Sequence, residues 1–292
     1  MIPIDEGRFR VWTKRVGTGD IKLLLLHGGP GTSSEYLECF EKYLPHEEFT
    51  IYYYDQLGSH RSDQPDDSSL WTLPRFIEEV EQVRAGLGLK DFYLYGQSWG
   101  ALLGMEYALK YGQNLKGLIL SNMTASIQSY QKYAAELRRS LPPEVIEVLD
   151  KHEAAEDYQN PEYQAAMFGN VYTKHFCRLP ELPGPVANSF QHLNHQIYNT
   201  MQGPNEFVFS GNLKNWDRWA NLSEIEMPTL IIGARHDTMS VDDLKKMSEL
   251  IPDARLAICE SGSHLTMWDD QECYFQHLVS FLRDKELDSK MN

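Results

Sequence analysis

The amino-acid sequence predicts an α/β protein in which a mostly parallel central sheet is flanked by helices and interrupted by an inserted helical segment. Short apolar runs bounded by turn residues alternate with helical patterns, which is typical of parallel strands joined by crossover helices. This alternation stops at about residue 124 and resumes after "EMP" at 226–228. A chain of 292 residues can form one open α/β sheet with such an insertion.

Six apolar runs are predicted to be strands, because each is short and rich in leucine, β-branched or aromatic residues. They are "KLLLL" from 22, "TIYYY" from 50, "FYLY" from 92, "GLIL" from 117, "TLIIG" from 229 and "RLAIC" from 255. We therefore expect a core domain made of residues 1–123 and 216–292.

Two helices are predicted from spacing in the first part of the core. Residues 73–88 carry apolar side chains on one face and acids on the other, and the closing glycines suit a helix end. A second helix is expected from Trp99 to about Tyr111, directly after a strand and a tight turn.

Residues 124–215 contain no strand-like run. They consist of helical stretches rich in Tyr, Gln, Glu and Ala, broken by "LPP", "NP" and "LPELPGP". This pattern predicts a helical cap domain at 124–215. Insertions at the carboxyl ends of parallel strands are common places for binding sites.

Charge and hydropathy exclude several classes of partner. The chain has 27 Lys and Arg against 42 Asp and Glu, a net charge of −15, and no basic patch offsets it, so nucleic acid and anionic lipid are not expected partners. The N-terminal segment lacks a continuous apolar stretch, and "LLLL" at 23–26 is too short to span a bilayer. We expect a cytoplasmic protein. The sequence gives no indication of oligomeric state.

The cysteines and histidines do not suggest a metal site. Cys39, Cys177, Cys259 and Cys273 lie far apart and form no CxxC pair, which predicts neither a zinc site nor a disulfide framework and fits a reduced cytoplasm. The chain has no HExxH pattern and no glycine-rich phosphate loop before a lysine, so no cofactor is expected.

The stretch "GQSWG" at 96–100 matches the G-x-S-x-G pattern of a nucleophile turn. A predicted strand precedes it and a predicted helix follows, which is the context that the pattern requires. Ser98 is therefore the candidate nucleophile. The alternative is a structural turn whose serine caps the helix.

A serine nucleophile needs a base and an orienting acid, in the chain order Ser, Asp, His for this kind of turn. His264 follows the last predicted strand and is the candidate base, with His236 as its competitor. Asp237 ends the preceding strand and is the candidate acid, although an aspartate here could also cap a helix.

The string "HGGPG" at 27–31 follows an early strand and could supply a backbone donor to an oxyanion. The amide of Gly29 would act together with that of Trp99. The alternative is a strand-ending turn that only redirects the chain. His27 belongs to this turn and is interpreted as structural support.

These blocks resemble the α/β-hydrolase fold and, within it, the proline iminopeptidases and related aminopeptidases. The resemblance runs through "LLLLHGGPG", "YYYDQLGSHRSDQP", "YGQSWGALLGMEYALKY", "MQGPNEF", "PTLIIGARHDT" and "SGSHLTMWDD". It implies that Ser98, Asp237 and His264 form the catalytic triad of a serine hydrolase.

The resemblance also implies a role for "GPNEF", where Glu206 would pair with the free amino group of the substrate and Tyr198 would lie near that amine. The chain departs from the family at Thr238, where a second amine-binding glutamate is often found. It departs again at Ser59 and His60, in place of a small glycine-rich turn.

The resemblance thus implies a serine aminopeptidase that hydrolyses the amide bond after an N-terminal residue, with proline as the expected one. The substrate would be a short peptide or amino-acid amide with a free N-terminus. An esterase, an amino-acid amidase and a non-catalytic binding protein are the alternatives. Trp99, Phe207 and Trp268 are candidates for an apolar slot.

Overall fold

The computed structural model describes residues 1–291, with side chains through Asp284. A central sheet contains seven strands in the order β3-β5-β4-β6-β7-β8-β9, and β1 and β2 form a separate pair. In chain order the strands are β1 (Ile2–Ile4), β2 (Phe9–Val11), β3 (Thr13–Val16), β4 (Ile21–Leu26), β5 (Phe49–Tyr54), β6 (Phe92–Gln97), β7 (Leu115–Ser121), β8 (Thr229–Ala234) and β9 (Ala254–Cys259).

All six predicted strands are confirmed as β4 to β9, and they pair in parallel. Their continuous apolar character follows from burial on both faces of the sheet. In β4, Leu24 and Leu26 pack into one apolar cluster, and Leu23 and Leu25 pack into the other.

The three N-terminal strands were not predicted. β1 and β2 pair antiparallel with each other, while β3 pairs antiparallel with β5 at the edge of the main sheet. These strands are three or four residues long and partly exposed, so they lack the long apolar run that revealed the others. Pairing with a distant strand, not local pattern, makes them extended.

Helices cover both faces of the sheet. The predicted helix at 73–88 is confirmed as Leu73–Gly86, followed by Gly88 at φ 65°, the left-handed conformation that suits glycine after a helix. In chain order the α-helices are α1 (Phe40–Tyr43), α2 (Leu73–Gly86), α3 (Trp99–Tyr111), α4 (Ile127–Arg139), α5 (Pro143–Ala154), α6 (Pro161–Met167), α7 (Gly184–Gln191), α8 (His195–Met201), α9 (Val241–Leu250), α10 (Thr266–Asp269) and α11 (Gln271–Met291).

The segment 124–215, called the insertion below, is mainly helical as far as Met201. It holds α4 to α8 and a π-helical stretch, Phe168–Phe176. Part of it packs on an apolar cluster of its own, formed by Leu141, Leu149, Tyr163, Met167 and Val171.

Backbone hydrogen bonds fix the insertion over the carboxyl ends of the strands. Its two ends meet, since the Ile127 amide donates to the Trp216 carbonyl at 3.0 Å. The Asn194 amide donates to Gly31 at 2.8 Å, in the loop after β4. The insertion therefore covers the edge of the sheet at which loop residues of different strands converge.

The expectation that the cysteines do not pair is wrong for two of them. Cys259, the last residue of β9, and Cys273, in the first turn of α11, form a disulfide with their Cα atoms 5.8 Å apart. Helix α11 follows β9 after a short loop and α10, and this return brings the two together. Cys39 and Cys177 are free and buried.

Among residues 1–291, no helix combines the length and apolar character needed to cross a membrane.

Replacing Phe40 by alanine should lower the free energy of unfolding by about 3–5 kcal/mol, because its fully buried ring packs edge-on against Tyr95 and Phe275. The matched control is Phe168→Ala, since that ring is 51% exposed. Its effect should stay within about 0.5 kcal/mol. Urea unfolding measures both variants, and equal losses would contradict the packing described.

Candidate active site

The loops after four strands carry the residues predicted for catalysis. Gly29 follows β4, Ser98 follows β6, Asp237 follows β8 and His264 follows β9. Because parallel strands point their carboxyl ends to the same edge, these loops converge there. Gly29, Ser98 and His264 line one cavity at this edge.

Ser98 occupies a strained turn between β6 and α3. Its backbone has φ 55° and ψ −124°, which a non-glycine residue rarely adopts, and its amide donates to the Ser121 carbonyl at 2.9 Å. The strand ends at Gln97 and the helix begins at Trp99. The turn therefore presents the serine side chain at the end of the strand, in the cavity wall.

The two glycines of "GQSWG" are required by close backbone contacts. A Cβ atom on Gly96 would lie 2.0 Å from the Gly100 carbonyl oxygen. A Cβ atom on Gly100 would lie 2.2 Å from the carbonyl oxygen of Leu26, the last residue of β4. Larger residues would force α3 away from the sheet and move Ser98 with it.

His264 and Asp237 are in direct contact, with 2.7 Å between His264 Nδ1 and Asp237 Oδ1. Because an ionised carboxylate only accepts hydrogen bonds, the Nδ1 atom carries the proton and Nε2 of the neutral ring can accept one. The competitor His236 is placed differently. Its carbonyl oxygen lies 2.9 Å from Nδ1 of His175, in the insertion.

Asn122 is a site residue that the sequence analysis missed. It lies just beyond β7, and its Nδ2 donates to Asp237 Oδ2 at 2.7 Å, so both oxygens of this fully buried carboxylate are engaged. Asn122 has φ 53°, which asparagine tolerates better than most residues. A polar residue at the end of a buried strand was the available signal.

The Gly29 loop is connected to the His264 loop by a chain of side-chain hydrogen bonds. The Gly28 amide donates to the Tyr36 hydroxyl at 2.7 Å, and that hydroxyl donates to Gln97 Oε1 at 2.8 Å. The amide group of Gln97 in turn donates to the His264 carbonyl at 3.0 Å. The Gly28 amide is thus already used, whereas Gly29 lines the cavity with Trp99.

His27 is buried and connects two loops through its ring nitrogens. The Gln56 amide donates to its Nε2 at 3.0 Å, and its Nδ1 lies 3.0 Å from the Gly28 carbonyl. Burial lowers the pKa of His27, which keeps the ring neutral with one donor and one acceptor. Gln56 also accepts from the indole of Trp99 at 2.8 Å. These contacts agree with a structural role for His27.

The cavity has a volume of about 510 Å³ and lies between the core and the insertion. Trp99 is one of its walls, as proposed from the sequence. Trp268 instead donates to the Tyr36 carbonyl, and Phe207 packs on the apolar cluster of the insertion. Further apolar walls are Leu102, Met123, Ile127, Phe168, Phe176 and Phe190.

Glu206 lies in the wall of the same cavity and accepts two phenol hydrogen bonds. Tyr172 donates to Oε2 at 2.5 Å, and Tyr198 donates to Oε1 at 3.0 Å. Removal from water raises the pKa of both tyrosines, and the charge of Glu206 raises it further, so both remain donors. Each oxygen of Glu206 keeps a lone pair for a cationic ligand.

Tyr198 was predicted near Glu206, whereas Tyr172 was not. Tyr172 belongs to the π-helical stretch, 34 residues before Glu206, and no motif marks it. At the position of the missing second glutamate, Thr238 is buried and donates to Asp237 Oδ1 at 3.3 Å. At the other departure, His60 stacks on His192 of the insertion.

Comparison with known proteins shows the family to which the chain belongs. A family described as "alpha/beta hydrolase fold" matches residues 22–271. The chain is 49% identical to a proline iminopeptidase of Flavobacterium johnsoniae and 48% identical to one of Elizabethkingia meningoseptica. The first match covers 100% of both chains and the second covers 99% of each.

Two solved structures have the same fold as this chain. A proline iminopeptidase of Mycobacterium smegmatis superposes with a TM-score of 0.90 at 30% identity, covering 99% of this chain and 98% of its own. The protein VinJ superposes with a TM-score of 0.91 at 33% identity, covering 95% and 96%. The chain belongs to the proline iminopeptidase family of α/β-hydrolase-fold proteins.

Proposed function

We propose that this protein is a serine aminopeptidase that removes an N-terminal residue, proline above all, from short peptides or amino-acid amides with a free amino group. The observation that carries the proposal is one cavity lined by Ser98, His264 and the carboxylate of Glu206. The relatives named proline iminopeptidase, at 49% and 48% identity, also support the proposal. A nucleophile and a site for a cation in one enclosed space favour cleavage next to an amine.

In the proposed reaction, Ser98 Oγ attacks the carbonyl carbon of the scissile amide while His264 Nε2 takes the hydroxyl proton. The Nδ1 proton stays on the ring, held by Asp237. The amides of Gly29 and Trp99 donate to the oxyanion of the tetrahedral intermediate. The C–N bond then breaks, and His264 gives its proton to the leaving amine.

An acyl group remains on Ser98 after the first half of the reaction. A water molecule gives a proton to His264 and attacks the ester carbon, and collapse of the second intermediate returns the proton to Ser98. The free amino acid leaves, and the enzyme regains its starting state. Asn122 is proposed to hold Asp237 in the orientation that keeps His264 in this tautomer.

Amine recognition is assigned to Glu206, with Tyr172 and Tyr198 holding its carboxylate in place. The ammonium group of the substrate, which is a protonated secondary amine when the first residue is proline, would pair with Glu206 inside the cavity. A substrate with a blocked amine would bring no positive charge and would leave a partly buried carboxylate unpaired, which costs binding energy. This selects free N-termini.

We also propose that residues 1–123 and 216–292 form the core domain and residues 124–215 the cap. The apolar cluster within the insertion and the pairing of its two ends support this division. The cytoplasmic location stays a prediction. The Cys259–Cys273 disulfide does not favour it, since such bonds are rare in reducing compartments.

A panel of chromogenic substrates tests the activity. Proline nitroanilide should be cleaved faster than the alanine and leucine analogues, and N-blocked proline nitroanilide should be inert. Ser98→Ala should lower kcat/KM by about 10⁴-fold or more, because the nucleophile is lost. The control is Ser248→Ala, in α9. An enzyme that hydrolyses only nitrophenyl acetate would be an esterase, contrary to the proposal.

Glu206→Gln should lower kcat/KM for proline nitroanilide by about 100-fold, because the ammonium loses its partner. Hydrolysis of nitrophenyl acetate, which has no amine, should change little. Glu249→Gln, an exposed change in α9, is the control. If Glu206→Gln lowers kcat/KM equally for proline nitroanilide and for nitrophenyl acetate, Glu206 contributes to the fold or to the chemical step and not to recognition of the amine.

Tyr172→Phe and Tyr198→Phe should each raise KM for proline nitroanilide by about tenfold with little change in kcat, since each removes one charge-assisted hydrogen bond to Glu206. Tyr158→Phe, in the insertion and packed on Tyr163, is the matched control. Steady-state kinetics with both substrate types provide the measurement. An unchanged KM for proline nitroanilide in both variants would show that the two tyrosines do not contribute to amine binding.

A further inference from the structure

We propose that Glu35, His60 and His192 form a binding site for a divalent transition-metal ion, with Zn²⁺ as the best match, at the contact between the core and the insertion. Glu35 lies in the 3₁₀ turn Ser34–Leu37, His60 in the loop after β5 and His192 directly after α7. One donor atom from each residue lies within 4.8 Å of the other two.

The three side chains already converge. His192 Nδ1 lies 2.7 Å from Glu35 Oε2, and His60 Nε2 lies 3.9 Å from Glu35 Oε1. The two imidazole rings stack with their centroids 3.5 Å apart and 15° between their planes. With zinc bonds of about 2.0–2.1 Å, tetrahedral donor atoms lie about 3.3 Å apart. An imidazole nitrogen directs its lone pair in the plane of its own ring, so one of the two rings must rotate out of the stack before all three donor atoms can bind one ion.

The donor set suits zinc. Two imidazole nitrogens and a carboxylate oxygen leave the fourth position of a tetrahedral ion open to water. The side chains of His60 and His192 are 25% and 35% exposed, which gives an ion a path from solvent.

The local charge favours a cation. Glu35 and Asp55 are two buried carboxylates, and Arg61 reaches both, at 3.3 Å from Glu35 Oε1 and 3.5 Å from Asp55 Oδ2. Two carboxylates and one guanidinium give these three side chains one net negative charge. An ion bound to Glu35 would compensate it, and Arg61 would remain paired with Asp55.

The backbone conformation of His60 is a further feature of the site. Its φ of 27° is positive, a conformation that glycine adopts more easily. This backbone places the ring of His60 on that of His192.

An ion at this site would tie the insertion to the core beside the cavity. Ser189 in α7 accepts from the Tyr36 amide at 3.0 Å, and both residues line the cavity, as does Phe190. Glu35 adjoins Tyr36 in the chain, and His192 lies two residues beyond Phe190. Metal binding should therefore stabilise this wall of the cavity against unfolding.

The test is a calorimetric titration of the chelator-treated full chain with ZnCl₂, in a His264→Gln background so that the candidate triad cannot take the ion. Reductant is omitted, which keeps Cys259 and Cys273 paired. We expect one ion per chain. His60→Gln and His192→Gln should each weaken binding by more than about tenfold. His46→Gln, an exposed change elsewhere, should have no effect.

Thermal melting is the second readout. Zn²⁺ at about 100 times its Kd should raise the Tm of the background protein by about 5 °C and should not raise that of the two variants. The proposal would be overturned if the His60→Gln and His192→Gln variants both bound Zn²⁺ as tightly as the background protein. It would also be overturned if the Kd of the background protein for Zn²⁺ were weaker than about 1 mM.

If the two variants fail to fold, Co²⁺ added to the His264→Gln protein decides the question. The site would be supported by visible absorption bands of tetrahedral Co²⁺ that disappear when one equivalent of Zn²⁺ displaces the cobalt. Their absence would reject it.

Discussion

The close contact between α3 and β4 is the constraint on which the active-site geometry depends. At Gly100 there is no room for a Cβ atom, because the Leu26 carbonyl oxygen would lie 2.2 Å from it. This contact forces the chain to leave β6 and enter α3 within one residue, which gives Ser98 its strained backbone. It also brings the Trp99 amide next to the loop that follows Leu26. The same packing contact thus positions the proposed nucleophile and the proposed oxyanion donors.

A second constraint is the satisfaction of buried polar groups. Tyr274 donates to Ser121 at 2.9 Å, Ser121 donates to Asn122 at 2.7 Å, and Asn122 donates to Asp237. His264 completes the series at Asp237. A fully buried carboxylate is tolerated only when such partners replace water. The polar residues at the strand ends therefore fix each other's orientation before any substrate binds.

The sequence was informative where a local pattern coincides with a chemical requirement. Strands β4 to β9 have continuous apolar runs because both faces are covered, and Ser98 lies in a turn that its glycines mark. The contacts of Asn122 with Asp237 and of Tyr172 with Glu206 span 115 and 34 residues, respectively. Such contacts arise from tertiary packing and leave no local pattern. The same holds for the Cys259–Cys273 disulfide, whose partners meet because the loop and α10 after β9 lead the chain back to the end of that strand.

The proposed reaction requires a fixed distance between the proposed amine site and the proposed nucleophile, although Glu206 belongs to the insertion and Ser98 to the core. Backbone hydrogen bonds set this relation, since the His264 and Leu265 amides donate to the carbonyls of His175 and Phe176 at 3.0 and 2.8 Å. Tyr172, four residues before Phe176, holds Glu206 from the same stretch. The segment that contacts the proposed base thus also positions the proposed amine ligand. If Glu206 binds the substrate amine as proposed, substrate selection depends on how the π-helical stretch docks on the loop after β9, and not on Glu206 alone.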